Sequence, residues 1–293
     1  MDFNWKIITK MIRIAIQAKG RLSEESLELL KEAGIQVDDT KRKFLSQSRS
    51  FPAELLFLRD DDIPQAVALG VADIGIVGYN EVLEREQDVE IVDRLGFGPC
   101  RISLAVPKTV DYPGLEWFNG KRIATSYPNI LGKFLKEKGI DAKISVITGS
   151  VEIAPTVGMS DAIFDIVSSG GTLVSNGLKE VEKIVFSEAV VISGRNPDAE
   201  KVKVWEQIKF RINAVRDSRN MKYLLMNVPN DRIDEAIAIL PAMRSPTILP
   251  LAQSGWSSMH SVVAEDVLWD KIELLKEIGA EGILVLSVEK MVL

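Results

Sequence analysis

Residues Asp161 to Thr172, DAIFDIVSSGGT, gather two carboxylates, three hydroxyls and two glycines within twelve positions. The apolar run Ala162–Val167 reads as a buried strand. Small residues where a strand bends into a helix leave backbone N–H groups bare beside the positive end of the helix dipole. The hydroxyls of Ser168, Ser169 and Thr172 add donors, so this bend, with Gly170 and Gly171, is a candidate seat for a phosphate. Asp161 and Asp165, four apart on an extended segment, are expected on one face, where they can accept hydrogen bonds from sugar hydroxyls. A phosphate seat beside paired carboxylates suits a ribose 5-phosphate. The plainer alternative is an ordinary Ser/Gly turn between a buried strand and a surface helix.

The rest of the chain limits the chemistry. His260 is the only histidine, so the first 259 residues offer no His-based triad and no His-rich metal site. A reaction there must rest on positioning and electrostatics, or on a carboxylate, Lys or Tyr as acid or base. The single cysteine, Cys100, excludes an internal disulfide framework and suits a reducing cytosol; it reads as a small packed residue rather than a nucleophile. A net charge of −6 without a long basic run argues against nucleic acid as a partner. No apolar run approaches the roughly 18–20 residues that span a bilayer, and the first ten residues lack the long apolar core of a secretory signal. The expectation is a cytoplasmic protein with no membrane association.

At 293 residues there is room for two or three domains. Ile12–Ile16 predicts a strand, followed by the turn Gln17–Arg21 and a helix capped by Ser23 that runs through Ala33 to a stop at Gly34. Strands at Leu55–Leu58 and Ala72–Val77 flank a helix with Pro64 in its first turn. Strands alternating with helices imply parallel βαβ units and an open sheet. Arg101–Val106 predicts another strand, and Pro107 with the turn Asp111–Gly114 suggests a hinge into a second lobe. That lobe holds Ile123–Thr125, a helix to Lys138, and the strand Lys143–Thr148. GVADIG at 70–75 echoes GMSDAI at 158–163, as in related lobes facing a cleft, where small ligands usually bind. From about Arg219 the order βαββαβ is the ferredoxin-like pattern, and it fits the small amino-acid-binding ACT modules. The expected layout is a first lobe of residues 11–105 with 190–217, a second lobe of 106–189, and a C-terminal domain of 218–293.

Several longer motifs occur together: QAKGRL at 17–22, RDDDIP at 59–64, GKRIATSYP at 120–128, GSVEIAP at 149–155, the Asp161–Asn176 loop, and RSPTILPL at 244–251. With these, the chain resembles the ATP phosphoribosyltransferases of histidine biosynthesis, in their long form with a fused ACT-like domain, from Ile12 to Leu293. The loop form D-x-V-x-S-G-G-T also resembles that of ordinary phosphoribosyltransferases. Residues 1–10 fall outside the pattern and are open to reading as a tag, an alternative start or a disordered arm. The resemblance implies a periplasmic-binding-protein-like catalytic core. It implies transfer of phosphoribose from 5-phosphoribosyl 1-pyrophosphate to N1 of the ATP adenine, with Mg2+ and release of pyrophosphate. It also implies feedback inhibition by histidine at the C-terminal domain and a homo-oligomer, dimer to hexamer.

On that basis residues take expected roles. Ser168, Ser169, Gly170, Gly171 and Thr172 would seat the 5-phosphate, with Asp161 and Asp165 orienting the ribose and favouring its developing positive charge. Lys19 and Arg21, with Gly20 between them, are the choice for pyrophosphate or the ATP phosphates, because fixed positive charge helps the leaving group. Arg59, Arg101 and Asp73 join that group, with Arg49 as a further cation. Ser126 and Tyr127 are expected either as ligand contacts or as helix caps, and Glu152 at the ribose, at a metal, or tying a loop. Asp60, Asp61 and Asp62 look like a metal cluster, but at least one is expected to cap the next helix. The Mg2+ ligands stay unassigned, since the ion can bind mainly through substrate phosphates. Asn227 and Thr247 lie where the inhibitor histidine would be held, and His260 is expected as a packed or exposed strand residue. The competing readings are a non-catalytic two-lobed solute receptor with an amino-acid-sensing tail, and a salvage phosphoribosyltransferase for free bases.

Overall fold

The computed structural model describes residues 11–37, 44–240 and 245–293; residues 1–10 and Arg244, used above, lie outside them. The chain divides into two compact units, Met1–Trp205 and Glu206–Leu293.

In the first unit, β1 (Ile12–Gln17) leads into α1 (Arg21–Glu32), followed by β2 (Leu45–Gln47), β3 (Ala53–Leu58), α2 (Ile63–Ala68), β4 (Ile74–Gly78), α3 (Tyr79–Arg85) and β5 (Val89–Arg94). Then come β6 (Cys100–Pro107), β7 (Arg122–Thr125), α4 (Pro128–Lys138), β8 (Lys143–Val146), β9 (Ala162–Val167), α5 (Gly171–Ser175), β10 (Leu178–Ser187) and β11 (Ala189–Gly194), and α6 (Ala199–Ser218) runs from the first unit into the second. Two sheets result, six strands in the order β2-β3-β1-β4-β11-β5 and five in the order β10-β6-β9-β7-β8. The central strands β1, β3 and β4 are parallel, as are β7, β8 and β9. Helices over both faces explain why Ile14, Ala15 and Ile16 are all fully buried, a continuous apolar run rather than an alternating one. Gly75 lets α2 lie close on β4, since a Cβ there would come within 2.6 Å of Ile63 Cγ2.

This is the two-lobed, periplasmic-binding-protein-like arrangement, crossed twice by the chain. The outward crossing is Leu95–Pro99 and the return is Glu188. The two are stitched together by Leu95 N–H donating to Ala189 O and Ala189 N–H to Phe97 O, both at 2.9 Å. The crossing thus precedes the hinge expected after Pro107, because Cys100–Pro107 lies wholly in the second sheet and the expected division at 105/106 falls inside this strand. The first helix also starts earlier than expected. Gly20, at φ +102°, turns the chain sharply enough for α1 to begin at Arg21, and Ser23 is buried within its first turn. Sequence reading passed over α3, β5 and β10. The last, LKEVEKIVFS, is an edge strand with two register shifts against β6, so charge and bulges mask its period.

The second unit holds β12 (Met221–Pro229), α7 (Ile233–Ile239), β13 (Thr247–Pro250), β14 (Trp256–Ala264), α8 (Leu268–Glu277) and β15 (Glu281–Ser287). Its antiparallel sheet runs β13-β14-β12-β15, the ferredoxin-like order. Leu224, Met226, Val228 and Met259 form a core with Ala236 of α7 and Leu268 and Leu275 of α8. Strand alternation puts Tyr223, Leu225, Asn227 and His260 on the opposite face.

Candidate functional site

The bend after β9 joins that strand to a short helix. Gly170 stands at φ +83°, a backbone that a side chain would strain, and α5 begins at Gly171. The N–H groups of Ser169, Gly170 and Thr172 take no protein acceptor among the described residues, while Gly171 N–H meets only Ser169 Oγ, at 3.4 Å. Ser168, Ser169, Gly171 and Thr172 are exposed. Bare donors and exposed hydroxyls are the groups that an anion site requires, which makes the bend a candidate.

Asp165, on β9 two residues before the end of the strand, is half-buried and accepts the N–H of Ile166 at 2.8 Å. Burial, reinforced by the negative charge of Glu152, pushes its carboxyl up to about 6. Glu152 is half-buried in a short 3-10 turn, Val151–Ile153, which follows Ser150 in a left-handed conformation. The first lobe brings cations to the same bend. Arg21 Nη1 reaches Ser168 Oγ at 3.4 Å, and Lys19 is exposed with no partner among the described residues. Lys19, Gly20 and Arg21 follow the C-terminal end of β1 as Ser168–Thr172 follow that of β9, the end of an open α/β sheet at which ligands bind.

Other expected contacts fall elsewhere. Asp161 precedes β9, about 13 Å from Asp165 at roughly 3.3 Å per residue. Its N–H donates to Arg122 O at 2.8 Å and its Oδ2 accepts Arg122 N–H at 2.8 Å. Asp73 does the same in the first lobe, donating to Arg13 O at 2.9 Å and accepting Arg13 N–H at 2.8 Å, and it also takes Lys201 Nζ at 2.8 and 2.9 Å. The sequence echo therefore has a structural meaning. Each lobe uses an Asp to tie the start of one parallel strand to the start of its neighbour, at the end remote from the bend, which removes both acids from the expected ligand set. Arg59, with 76% of its side chain exposed, pairs with Asp61, which also meets Arg85 at 3.5 Å. Asp60–Asp62 form a 3-10 turn, and Asp62, at the N-cap of α2, makes no side-chain capping bond, so the expected carboxylate cap is absent. Arg49 lies in the turn before β3. Arg101 reaches the bend, but through its carbonyl of Ser168, at 3.0 Å, and not through an open face.

Ser126 and Tyr127 sit at the start of α4, a tempting anion site that is already filled. Pro128 has no N–H, and Glu84 of α3 accepts the N–H groups of Asn129 and Ile130 at 3.0 Å each. Leu131 N–H donates to Tyr127 O at 3.1 Å. Ser126 Oγ donates to Ile147 O at 2.7 Å, and the buried Tyr127 hydroxyl accepts Asn80 Nδ2 at 3.3 Å. Burial and the negative charge of Glu81 drive the Tyr127 phenol well above its ordinary range. Sequence reasoning missed Asn80, Glu81 and Glu84 because they lie on the unrecognised helix α3. Glu81 is buried there, and desolvation followed by the charge of Asp60 raises its carboxyl to about 7.

Among the described residues no group of three or more His, Cys, Asp or Glu side chains is arranged to hold a metal ion, and no helix is long and apolar enough to cross a membrane. In the second unit Asn227 lies opposite Ser258, and Thr247 opposite His260. The imidazole of His260 is held between Tyr223 OH at 2.7 Å and Ser258 Oγ at 3.0 Å.

The fold is that of a two-lobed α/β protein with a fused ferredoxin-like module, and the bend after β9 is its candidate site for an anion. A family profile described as ATP phosphoribosyltransferase matches residues 59–214, and one described as the HisG C-terminal domain matches residues 218–290. A protein named ATP phosphoribosyltransferase from Bacteroides thetaiotaomicron is 61% identical over 282 residues, covering 96% of this chain and 100% of its own. One of the same name from Cytophaga hutchinsonii is 52% identical over 285 residues, covering 97% and 100%. The solved ATP phosphoribosyl transferase (HisG:HisZ) complex from Thermotoga maritima aligns with a TM-score of 0.60 and 31% identity, over 69% of this chain and 99% of that one. The chain belongs to the ATP phosphoribosyltransferase family.

Proposed function

We propose that the cleft joins ATP to 5-phosphoribosyl 1-pyrophosphate as the first step of histidine biosynthesis, with the donor's sugar phosphate held against the second lobe. The N1 lone pair of adenine forms the bond to ribose C1 while the C1–oxygen bond breaks and its electron pair leaves with pyrophosphate. Such a transfer needs two highly anionic substrates held in line. It also needs fixed charge where charge develops. Ser168–Thr172 seat the 5-phosphate through bare N–H groups and hydroxyls. Asp165 and Glu152 face the ribose hydroxyls and its developing positive charge. Lys19 and Arg21 meet the pyrophosphate or the ATP phosphates. The observation that carries this reading is the juxtaposition of free backbone donors at Ser169, Gly170 and Thr172 with the half-buried carboxyl of Asp165.

The donor set suits Mg2+ carried on substrate phosphate oxygens, where it would neutralise charge, with Asp165 and Glu152 as the protein carboxylates at hand. Asn227 and Thr247, flanking the His260 cluster, would hold histidine as a feedback inhibitor, in a cytoplasmic homo-oligomer ranging from dimer to hexamer. Incubating the full chain with Mg2+, ATP and 5-phosphoribosyl 1-pyrophosphate should yield an ultraviolet-absorbing adduct. Folded protein that forms none would sink the reading, and turnover of free adenine or guanine in place of ATP would convert it to a salvage enzyme.

A further inference from the structure

We infer that Arg101 and Glu180 are positioning residues that hold the Ser168–Ser169 peptide so that the donors of the bend face the sugar phosphate. The inference rests on the proposed role of that bend. Arg101 lies on β6 opposite Val167, the last residue of β9. Its Nη1 donates to Ser168 O at 3.0 Å, while Nε and Nη2 grip the two oxygens of Glu180 at 2.5 and 2.6 Å. Ser103 Oγ, two residues along the same face, donates to Glu180 Oε1 at 2.6 Å. Three of the five guanidinium N–H groups thus have protein acceptors, at least one on each nitrogen, and the fork geometry fixes its plane. The pair's mutual stabilisation lowers the Glu180 carboxyl and raises the Arg101 guanidinium.

A trans peptide points its C=O and the following N–H in opposite directions, and the described backbone contains no cis bond. Tying Ser168 O to Arg101 therefore turns the Ser169 N–H away from Arg101. The far end of the bend is secured from the same strand. Lys108, just past β6, donates its N–H to Gly177 O at 2.8 Å and its Nζ to Val174 O at 3.2 Å. β6 acts as a frame that grips α5 and its approach from both sides. Glu180 comes from β10, opposite Ala105 and beside a register shift, the kind of irregularity that re-aims a side chain.

The test compares Glu180→Gln, Arg101→Gln, their double variant and the milder Ser103→Ala in the full chain. Binding of ribose 5-phosphate is read by calorimetry, steady-state kinetics are followed with both substrates, and folding is checked by thermal unfolding. Each single charge variant should weaken ribose 5-phosphate and raise the KM for the pyrophosphate donor by about tenfold, the scale of one misplaced charge-assisted contact. The kcat and the KM for ATP should stay within about twofold, and the double variant should be no worse than either single one. Ser103→Ala should show the same split at about two- to threefold. Wild-type affinity in Glu180→Gln, or a fall in kcat at unchanged KM in Arg101→Gln, overturns the inference, the latter marking Arg101 as a group that acts only in the transition state. Thr172→Val reads the bend itself. If it loses ribose 5-phosphate while Glu180→Gln keeps it, the bend stands and the positioning role falls; if both keep it, the phosphate sits elsewhere and both readings fall.

Discussion

Glu84 offers the sharpest test of how the lobes are joined. Its side chain belongs to α3 of the first lobe, yet its two oxygens each accept an N–H from the first turn of α4 in the second, at 3.0 Å. Replacing Glu84 with Ala removes both acceptors, and the N–H of buried Ile130 is left without a ready substitute from water. A lost helix cap typically costs about 0.5–2 kcal/mol. Two charge-assisted bonds lost together, less the desolvation relieved by removing a buried carboxylate, come to about 2–4 kcal/mol. For a unit of this size each kcal/mol is worth roughly 2–4 °C, so the melting temperature should fall by about 5–15 °C. Glu84→Gln keeps one acceptor oxygen and should lose about half as much. Hydrogen exchange should then quicken at the Asn129 and Ile130 amides before the rest of α4. The capping account is refuted by a Glu84→Ala protein melting within about 2 °C of the parent with those amides still protected.

Three further outcomes are expected. Because the Asp165 carboxyl is raised to about 6, the kcat/KM for the pyrophosphate donor should fall as pH drops below that value; Asp165→Asn should flatten the profile and lower its plateau at least tenfold, and an unchanged profile removes Asp165 from the site. Asp161→Ala should lower the melting temperature by a few degrees through its lost bond to Arg122, yet leave the donor's KM within about twofold, so a tenfold rise would return Asp161 to the cleft. Glu81, raised from 4.5 to about 7, binds a proton more tightly folded than unfolded, so its contribution to stability is complete below pH 4.5 and lost as pH climbs through 7. Glu81→Gln should therefore gain in melting temperature relative to the parent between pH 5 and pH 8, and a constant difference across that range contradicts the shift.

Much of this architecture was legible in the residues. The apolar runs gave β1, β9 and the strands of the C-terminal module, where an alternating period survives because one face of the sheet is packed. The glycine- and hydroxyl-rich bend after β9 was legible as a bend because its residue types are interpretable one at a time. Less visible was anything requiring knowledge of which strand lies beside which. Asp161 and Asp165 have the same parity and so share a face, but only the length of β9 shows that they serve opposite ends of the sheet. The division between lobes was invisible because the chain crosses through a short segment at Leu95–Pro99 while the more conspicuous Pro107 merely ends a strand. Glu180 could not be found alone, since its meaning lies in Arg101, 79 positions away.

The matching aspartate ties at Asp73 and Asp161 bring the lobes into register, and the comparison shows where they part company. Four positions beyond each tie stand Val77 and Asp165, the first packed fully into the core of its lobe and the second a half-buried acid. The turn after β1 supplies Lys19 and Arg21, whereas its counterpart after β7 is closed off by Glu84. A twofold scaffold thus acquires a polarity, cationic on one bank and carboxylate with hydroxyl on the other. On the proposed assignment that polarity gives the glycosyl donor a heading: its ring rests against the acidic bank, and its departing diphosphate is drawn toward the basic one.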